Sequence, residues 1–443
     1  MNRYMQRIPG AGGLLAAILL LFMATSAAAA IDGITGSSFN FTAKAGVIAN
    51  PDGSVLPIWG YANGNGTVQY PGPTLIVNQG TTVTVSLVNQ LAEPVSIVFP
   101  GLRVTASGGI SGAMTQEAPP DGTTAVFYTF TADRPGTYTY YSGSHTDLQV
   151  EMGLVGALIV RPTGFSEANK TAYGDARSAY DDEFLFLLSE MDPNIHYAAG
   201  MGLVADTTDY LPTIWFMNGR AAPDTMAPAA AAWLPSQPYN CLPAAHPGDR
   251  ILMRIIGGGR DSHPLHTHGN NFELIARDGR LLATPADSGT TLLVAGAPMF
   301  GTVPDRAVSN FTQTVMPGAT YDAIYTWTGR DLGWDPYGNH PEPCIPAAGG
   351  FDATSKEYCS DHGKPFPIVL PGQQDLTFGQ FYSGGPFLGS AGSLPPGQGG
   401  FNPTAGYFFM WHSHNEKELT NNDIFPGGML TMFLVVPFGT DVP

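Results

Sequence analysis

Short runs in which β-branched and aromatic residues alternate with polar ones recur along the whole chain. They include Thr81 to Val88, Thr123 to Thr131, Gly156 to Val160, Glu183 to Leu188, Ile251 to Ile256, Tyr321 to Trp327 and Met429 to Val436. Such runs, bounded by turn residues, predict short strands with one or both faces buried. The 55 glycines and 38 prolines scattered between them favour turns over long helices. The pattern therefore predicts an all-β protein built from β-sandwiches or barrels. A polar stretch beginning at Pro162 interrupts the rhythm. It divides an N-terminal domain, 31–165, from a C-terminal domain, 183–443, with a linker at 166–182. Within the second domain, 333–404 lacks any long periodic run and is rich in Gly and Pro, which reads as an insertion. Insertions of that length are usually functional or mobile.

The first thirty residues break from this pattern. Arg3 and Arg7 precede the apolar run Leu14 to Met23 and the small-residue stretch Ala24 to Ala30. That order predicts a signal peptide over 1–30, and hence a periplasmic or secreted protein. Because Arg3 and Arg7 are not adjacent, general secretion is expected rather than twin-arginine export. An uncleaved membrane anchor is the alternative. The mature chain would carry 17 basic against 36 acidic residues, a net charge of −19. That balance argues against nucleic acid and anionic membrane surfaces, and suits solubility or attraction of cations. Of the three cysteines, Cys344 and Cys359 are spaced for a short disulfide loop in an oxidising compartment, with Cys241 left over.

Histidines carry the chemistry. Three of them lie in Ser262-His-Pro-Leu-His-Thr-His-Gly269, and two more in Trp411-His-Ser-His414. Residues two apart on a strand share a face, so His266 and His268 aim together, as do His412 and His414, while Ser413 faces the other way. Clustered imidazoles suit copper, zinc, iron or nickel. A core histidine hydrogen-bonded to backbone is the ordinary explanation for any one of them, and a poor one for five in paired sets. Other candidates are weaker. Glu418 with His263 reads as a salt-linked pair or a second, harder metal site. Tyr141 reads as a packed tyrosine. His196 and His246 fall in Pro-containing segments and are expected at the surface. His340 and His362 lie in the insertion, where a regulatory copper site is a minor alternative. Asp147, Glu151, Asp181 and Asp182 show no acid–base arrangement.

These motifs, in this order, resemble the multicopper oxidase family. Tyr70-Pro-Gly-Pro-Thr-Leu75 with Val77 to Asn89 is similar to the family's N-terminal strand pair. Gly136-Thr-Tyr138, Gln149-Val-Glu-Met-Gly-Leu154 and Gly156 to Val160 resemble its second motif region. His263 to Gly269 matches the third motif in full, and Trp411 to His414 with Gly428-Met429 resembles the fourth. The resemblance implies two cupredoxin-like Greek-key β-sandwich domains, copper as cofactor, and, as in short members, a homotrimer with the metal site at a domain junction between subunits.

The resemblance also implies losses. The family's fourth motif places a type 1 copper cysteine where this chain has Ser413, and a second type 1 histidine where it has Glu418; His263 and Met429 remain. The first motif, His-x-His-Gly, aligns with Val98-Phe-Pro-Gly101, and Tyr141 replaces a second-motif histidine. Carried over position by position, one type 3 copper keeps three ligands, His145, His268 and His412. The type 2 copper keeps only His266, and the other type 3 copper only His414. The sequence reading is thus an exported, copper-binding oxidoreductase-like protein with about one copper per chain and no full four-electron cycle, acting on a small molecule or metal ion. A non-catalytic copper binder and a metal-free envelope scaffold are the alternatives.

Overall fold

The computed structural model describes residues 31–284, 304–336, 343–364, 384–386 and 407–436. The signal-peptide expectation at 1–30, His340 and much of the 333–404 insertion lie outside these residues. Two β-sandwiches follow one another along the chain. In the first, one sheet runs in the order Ile34–Thr35, Gly72–Asn78, Val155–Arg161, Gly136–Tyr141. The facing sheet runs Val55–Asn63, Ser38–Ala49, Thr82–Asn89, Val126–Thr131, Thr105–Gly108. In the second, Ile214–Met217, Asp182–Met191, Arg250–Gly257, Thr320–Thr326 and Phe272–Arg277 form most of one sheet. The other is ordered Ala244–Ala245, Leu430–Val435, Tyr407–Ser413, His263–Thr267, Thr312–Val315. Parallel pairs such as Ser38–Ala49 with Thr82–Asn89 mix with antiparallel ones, as Greek-key cupredoxin sandwiches require.

Residue pattern explains which strands are central. Thr82–Asn89 alternates strictly, its buried valines and leucine pointing into the first core. Val155–Arg161 is instead buried at every position. Leu158 and Val160 enter the first core, while Val155, Ala157 and Ile159 face a separate cluster with Leu185, Leu187, Phe216 and Ile256 of the second sandwich. A strand covered on both faces reads as a continuous apolar run, as this one does. Each fully buried Leu or Ile contributes about 1.5–3 kcal/mol, so this shared layer binds the sandwiches firmly.

Buried charge registers them. Arg161 pairs with Glu183, whose second partner is Arg254 at 2.9 Å; Arg254 also reaches Thr137 at 3.0 Å and Asp322 at 3.6 Å. Residues 166–182, read from sequence as a linker, lie against the second sandwich: Ala172 and Tyr180 pack with Leu252, Ile275 and Ile324, and Tyr173 donates to Asp322. Cys344 and Cys359 form a disulfide, while Cys241 is buried and free, its thiol pKa raised by burial. No helix among the described residues is long and apolar enough to cross a membrane.

Candidate metal centre

The strands His263–Thr267 and Tyr407–Ser413 pair antiparallel with His266 directly opposite His412, Leu265 opposite Ser413 and Thr267 opposite Trp411. Leu265 and Trp411 enter the second core, so period two sends His266 and His412 to the other face. His268, just past the strand end, folds back beside them because its carbonyl is gripped from the core side by Tyr325 Oη at 2.9 Å and Trp411 Nε1 at 3.2 Å. The next residue, Gly269, has φ +92°, and a Cβ there would lie 2.7 Å from Tyr325 Oη, so the tight return depends on glycine.

His266, His268 and His412 are all buried, and one ring nitrogen of each lies within 4.8 Å of the others. His412 Nδ1 lies 2.6 Å from the Ser413 carbonyl, which can only accept. That proton fixes the neutral tautomer and leaves Nε2 with its lone pair, 3.1 Å from His268 Nε2. His266 Nδ1 is held by Thr312 Oγ1 at 2.6 Å, which orients the ring for binding through Nε2. Two imidazoles on one copper or zinc at about 2.0–2.1 Å would sit about 2.9–3.4 Å apart. The observed nitrogen separation falls within that range. Burial, followed by neighbouring His412 and His414, lowers the His266 pKa to about 4; burial also lowers that of His412. Three buried, convergent imidazoles are a donor set that fits copper or zinc.

The other expected ligands stand apart. His414 stacks edge-on to His266 with ring centres 4.7 Å apart, but it is half-exposed and leans toward Glu416. His145 belongs to the first sandwich, where it opens the short helix Thr146–Gln149 with φ 42°. Its imidazole is about half-exposed and lies 3.2 Å from Glu93. Within one chain the convergent set is therefore His266, His268 and His412, with all three ligands drawn from the second sandwich. Val98 and Tyr141, where the resemblance puts lost histidines, face each other in a backbone bridge.

The opposite face of the same strands holds a different arrangement. His263 Nε2 lies 2.7 Å from Glu190 and its Nδ1 3.0 Å from Glu418, all three buried. Ser413 Oγ donates to Glu418 at 2.5 Å, and Tyr210 Oη bridges Glu190 and Glu151 at 2.9 Å to each. Carboxylates only accept, so both His263 nitrogens carry protons. Burial alone would lower its pKa, but the hydrogen bonds and charges of Glu190 and Glu418 prevail and hold it at about 9. Burial likewise opposes ionisation of Glu190, yet His263 and the amides of Arg260 and Asp261 pull its pKa below the usual value. His263 and Glu418 are thus the salt-linked pair, with no imidazole lone pair for a metal. Met429 is buried in the apolar core. Sequence reasoning missed Glu190, which is 73 residues from His263.

His196, expected at the surface, is fully buried in the helix Pro193–Gly200, bonded to the carbonyls of Pro57 (2.6 Å) and Glu151 (3.1 Å). The helix begins with an Asp192 N-cap and Pro193 at its first turn. That is a start signal rather than a turn. His246, half-buried, bonds Asp249 at 3.1 Å.

A cupredoxin-type double sandwich with a buried imidazole group is the class these features define. A multicopper oxidase domain model matches residues 47–164. The chain is 27% identical over 344 residues to an iron transport multicopper oxidase of Epichloe festucae, covering 75% of this chain and 49% of that one. It is 37% identical over 291 residues to L-ascorbate oxidase of Nicotiana tabacum, covering 62% and 44%. The blue copper oxidase of Nitrosomonas europaea superposes with TM-score 0.53 at 18% identity, covering 89% of this chain and 85% of the other. The chain is thus similar to multicopper oxidases in sequence and shares their fold, and it spans about half or less of the length of these curated relatives.

Proposed function

We propose that this protein is an exported, copper-binding oxidoreductase-class member of its family with a degenerate copper set. A single copper is held by His266, His268 and His412. The observation that carries this reading is the convergence of three buried imidazoles with a nitrogen edge of the length a shared metal demands. Degeneracy is supported by Ser413, whose hydroxyl is committed to Glu418, and by His263, whose two nitrogens are both protonated. A hydroxyl does not supply the soft thiolate of a blue copper centre. Copper bound at the three imidazoles would supply one-electron redox chemistry. His412 and His266 are oriented for it by Ser413 O and Thr312 Oγ1, and burial keeps their rings neutral. The substrate would be a small molecule or a metal ion. The disulfide Cys344–Cys359 agrees with an oxidising compartment. His145, on the other sandwich, would join the ion from a neighbouring copy in a homotrimer.

The test is metal per chain by mass spectrometry with an electron paramagnetic resonance spectrum, after copper loading of the mature protein. One copper with an ordinary type 2 signal, lost in His268→Ala, is expected. Copper content that stays near zero after loading would refute the reading and leave a metal-free scaffold. Four coppers with a blue band would refute the degeneracy.

A further inference from the structure

A second group of ligating side chains lies in the insertion. Asp335 and Glu357 have buried side chains, 0% and 2% exposed, and His362 is about a quarter exposed. One ligand atom from each lies within 4.8 Å of the others. His362 Nδ1 is 2.8 Å from Glu357 Oε1 and 3.9 Å from Asp335 Oδ2. We propose that Asp335, Glu357 and His362 form a divalent-cation site, separate from the imidazole group, that pins the inserted segment to the second sandwich.

Three observations support it. Two carboxylates and an imidazole converge with ligand atoms within 4.8 Å of one another, and a divalent ion is attracted by both carboxylates at once. The spacings of 2.8 and 3.9 Å bracket the ligand edge of about 2.9–3.4 Å for metal bonds near 2.0–2.1 Å, so small side-chain movements complete the shell. The ligands are also braced. The Gly363 amide donates to Asp335 Oδ2 at 2.9 Å, the Asp335 amide bonds the Lys364 carbonyl at 3.0 Å, and the Gly333 amide bonds Asp361 at 3.1 Å. Hydrogen bonds of this kind orient carboxylate ligands. The exposed edge of His362 provides an entry path.

Two hard oxygen donors with one borderline nitrogen favour a zinc- or manganese-like divalent ion over soft Cu(I). Such an ion would tie Asp335 to the loop closed by Cys344–Cys359. Asp335 follows Trp334, whose ring packs in the second core, so the pin is anchored at the core end.

The test titrates Zn²⁺ into the full mature protein, counting bound metal by native mass spectrometry and affinity by calorimetry. His268→Ala, Glu357→Gln and His362→Ala are run alongside. Glu357→Gln and His362→Ala should each lose one zinc per chain, or weaken one site at least tenfold, and His268→Ala should keep that site. Should Glu357→Gln fail to fold, His362→Ala, at the partly exposed rim, decides alone. Unchanged zinc content and affinity in His362→Ala would overturn the proposal. The result is independent of whether copper binds at His266, His268 and His412.

Discussion

Replacing His263 by Gln removes the one cation held between Glu190 and Glu418. An imidazole raised from 6.5 to about 9 on folding represents about 3 kcal/mol where it is protonated in both states. Because the folded pKa lies above the unfolded one, this stabilisation is complete below about pH 6.5 and disappears as pH rises through 9. By linkage it amounts to about 2.5 kcal/mol at pH 7, about 1.4 at pH 8 and almost nothing at pH 10. The variant also leaves buried carboxylates poorly paired, so its total loss near pH 7 is expected at about 3–5 kcal/mol. Urea unfolding followed by tryptophan fluorescence reports on this sandwich, since Trp327, Trp334 and Trp411 share its core. The quantity to measure is the difference in stability between wild type and variant from pH 7 to 10. It should shrink by about 2–3 kcal/mol over that interval, while tyrosine and lysine titrations common to both proteins cancel. A constant difference would refute the assignment of a doubly protonated His263.

Three further outcomes follow from the same geometry. Ser413→Cys alone should give no blue absorption band on copper loading, because His263 remains protonated between its carboxylates; a blue band would contradict that arrangement. Tyr210→Phe removes the single hydroxyl shared between Glu151 and Glu190 and should cost about 1–3 kcal/mol in urea unfolding, without altering copper content. Leu265→Ala, on the core face of a metal-bearing strand, should cost about 2–5 kcal/mol, and a loss under 1 kcal/mol would show that the strand is loosely packed.

Much of this was legible in the chain because it depends on local period. Strands such as 82–89 and 155–161 announced themselves by alternation or by continuous apolar runs, and spacing by two placed Ser413 opposite in sense to His412. What escaped depends on pairing between distant segments. Glu190 meets His263 only because Asp182–Met191 runs parallel to Arg250–Gly257, a register that no local pattern specifies. The grouping of His266 rather than His145 with His412 within one chain follows from a cross-strand pair; positional correspondence to a family does not carry that information. His196 is buried rather than at the surface for a different reason. Pro193 alone reads as a turn marker, but after the Asp192 N-cap it marks a helix start.

The Glu190–His263–Glu418 cluster has an evolutionary corollary. A cysteine placed at 413 would insert a thiol beside a carboxylate, while a histidine placed at 418 would crowd a second imidazole against a protonated one. Either single substitution begins by destabilising the fold and supplies no copper ligand set until the other positions change as well. With Ser413 and Glu418 closed around His263, building a soft thiolate–imidazole pair at these positions requires several simultaneous substitutions. Sequence change in a chain built this way is expected to be easier around the His266, His268 and His412 imidazoles than within this closed cluster.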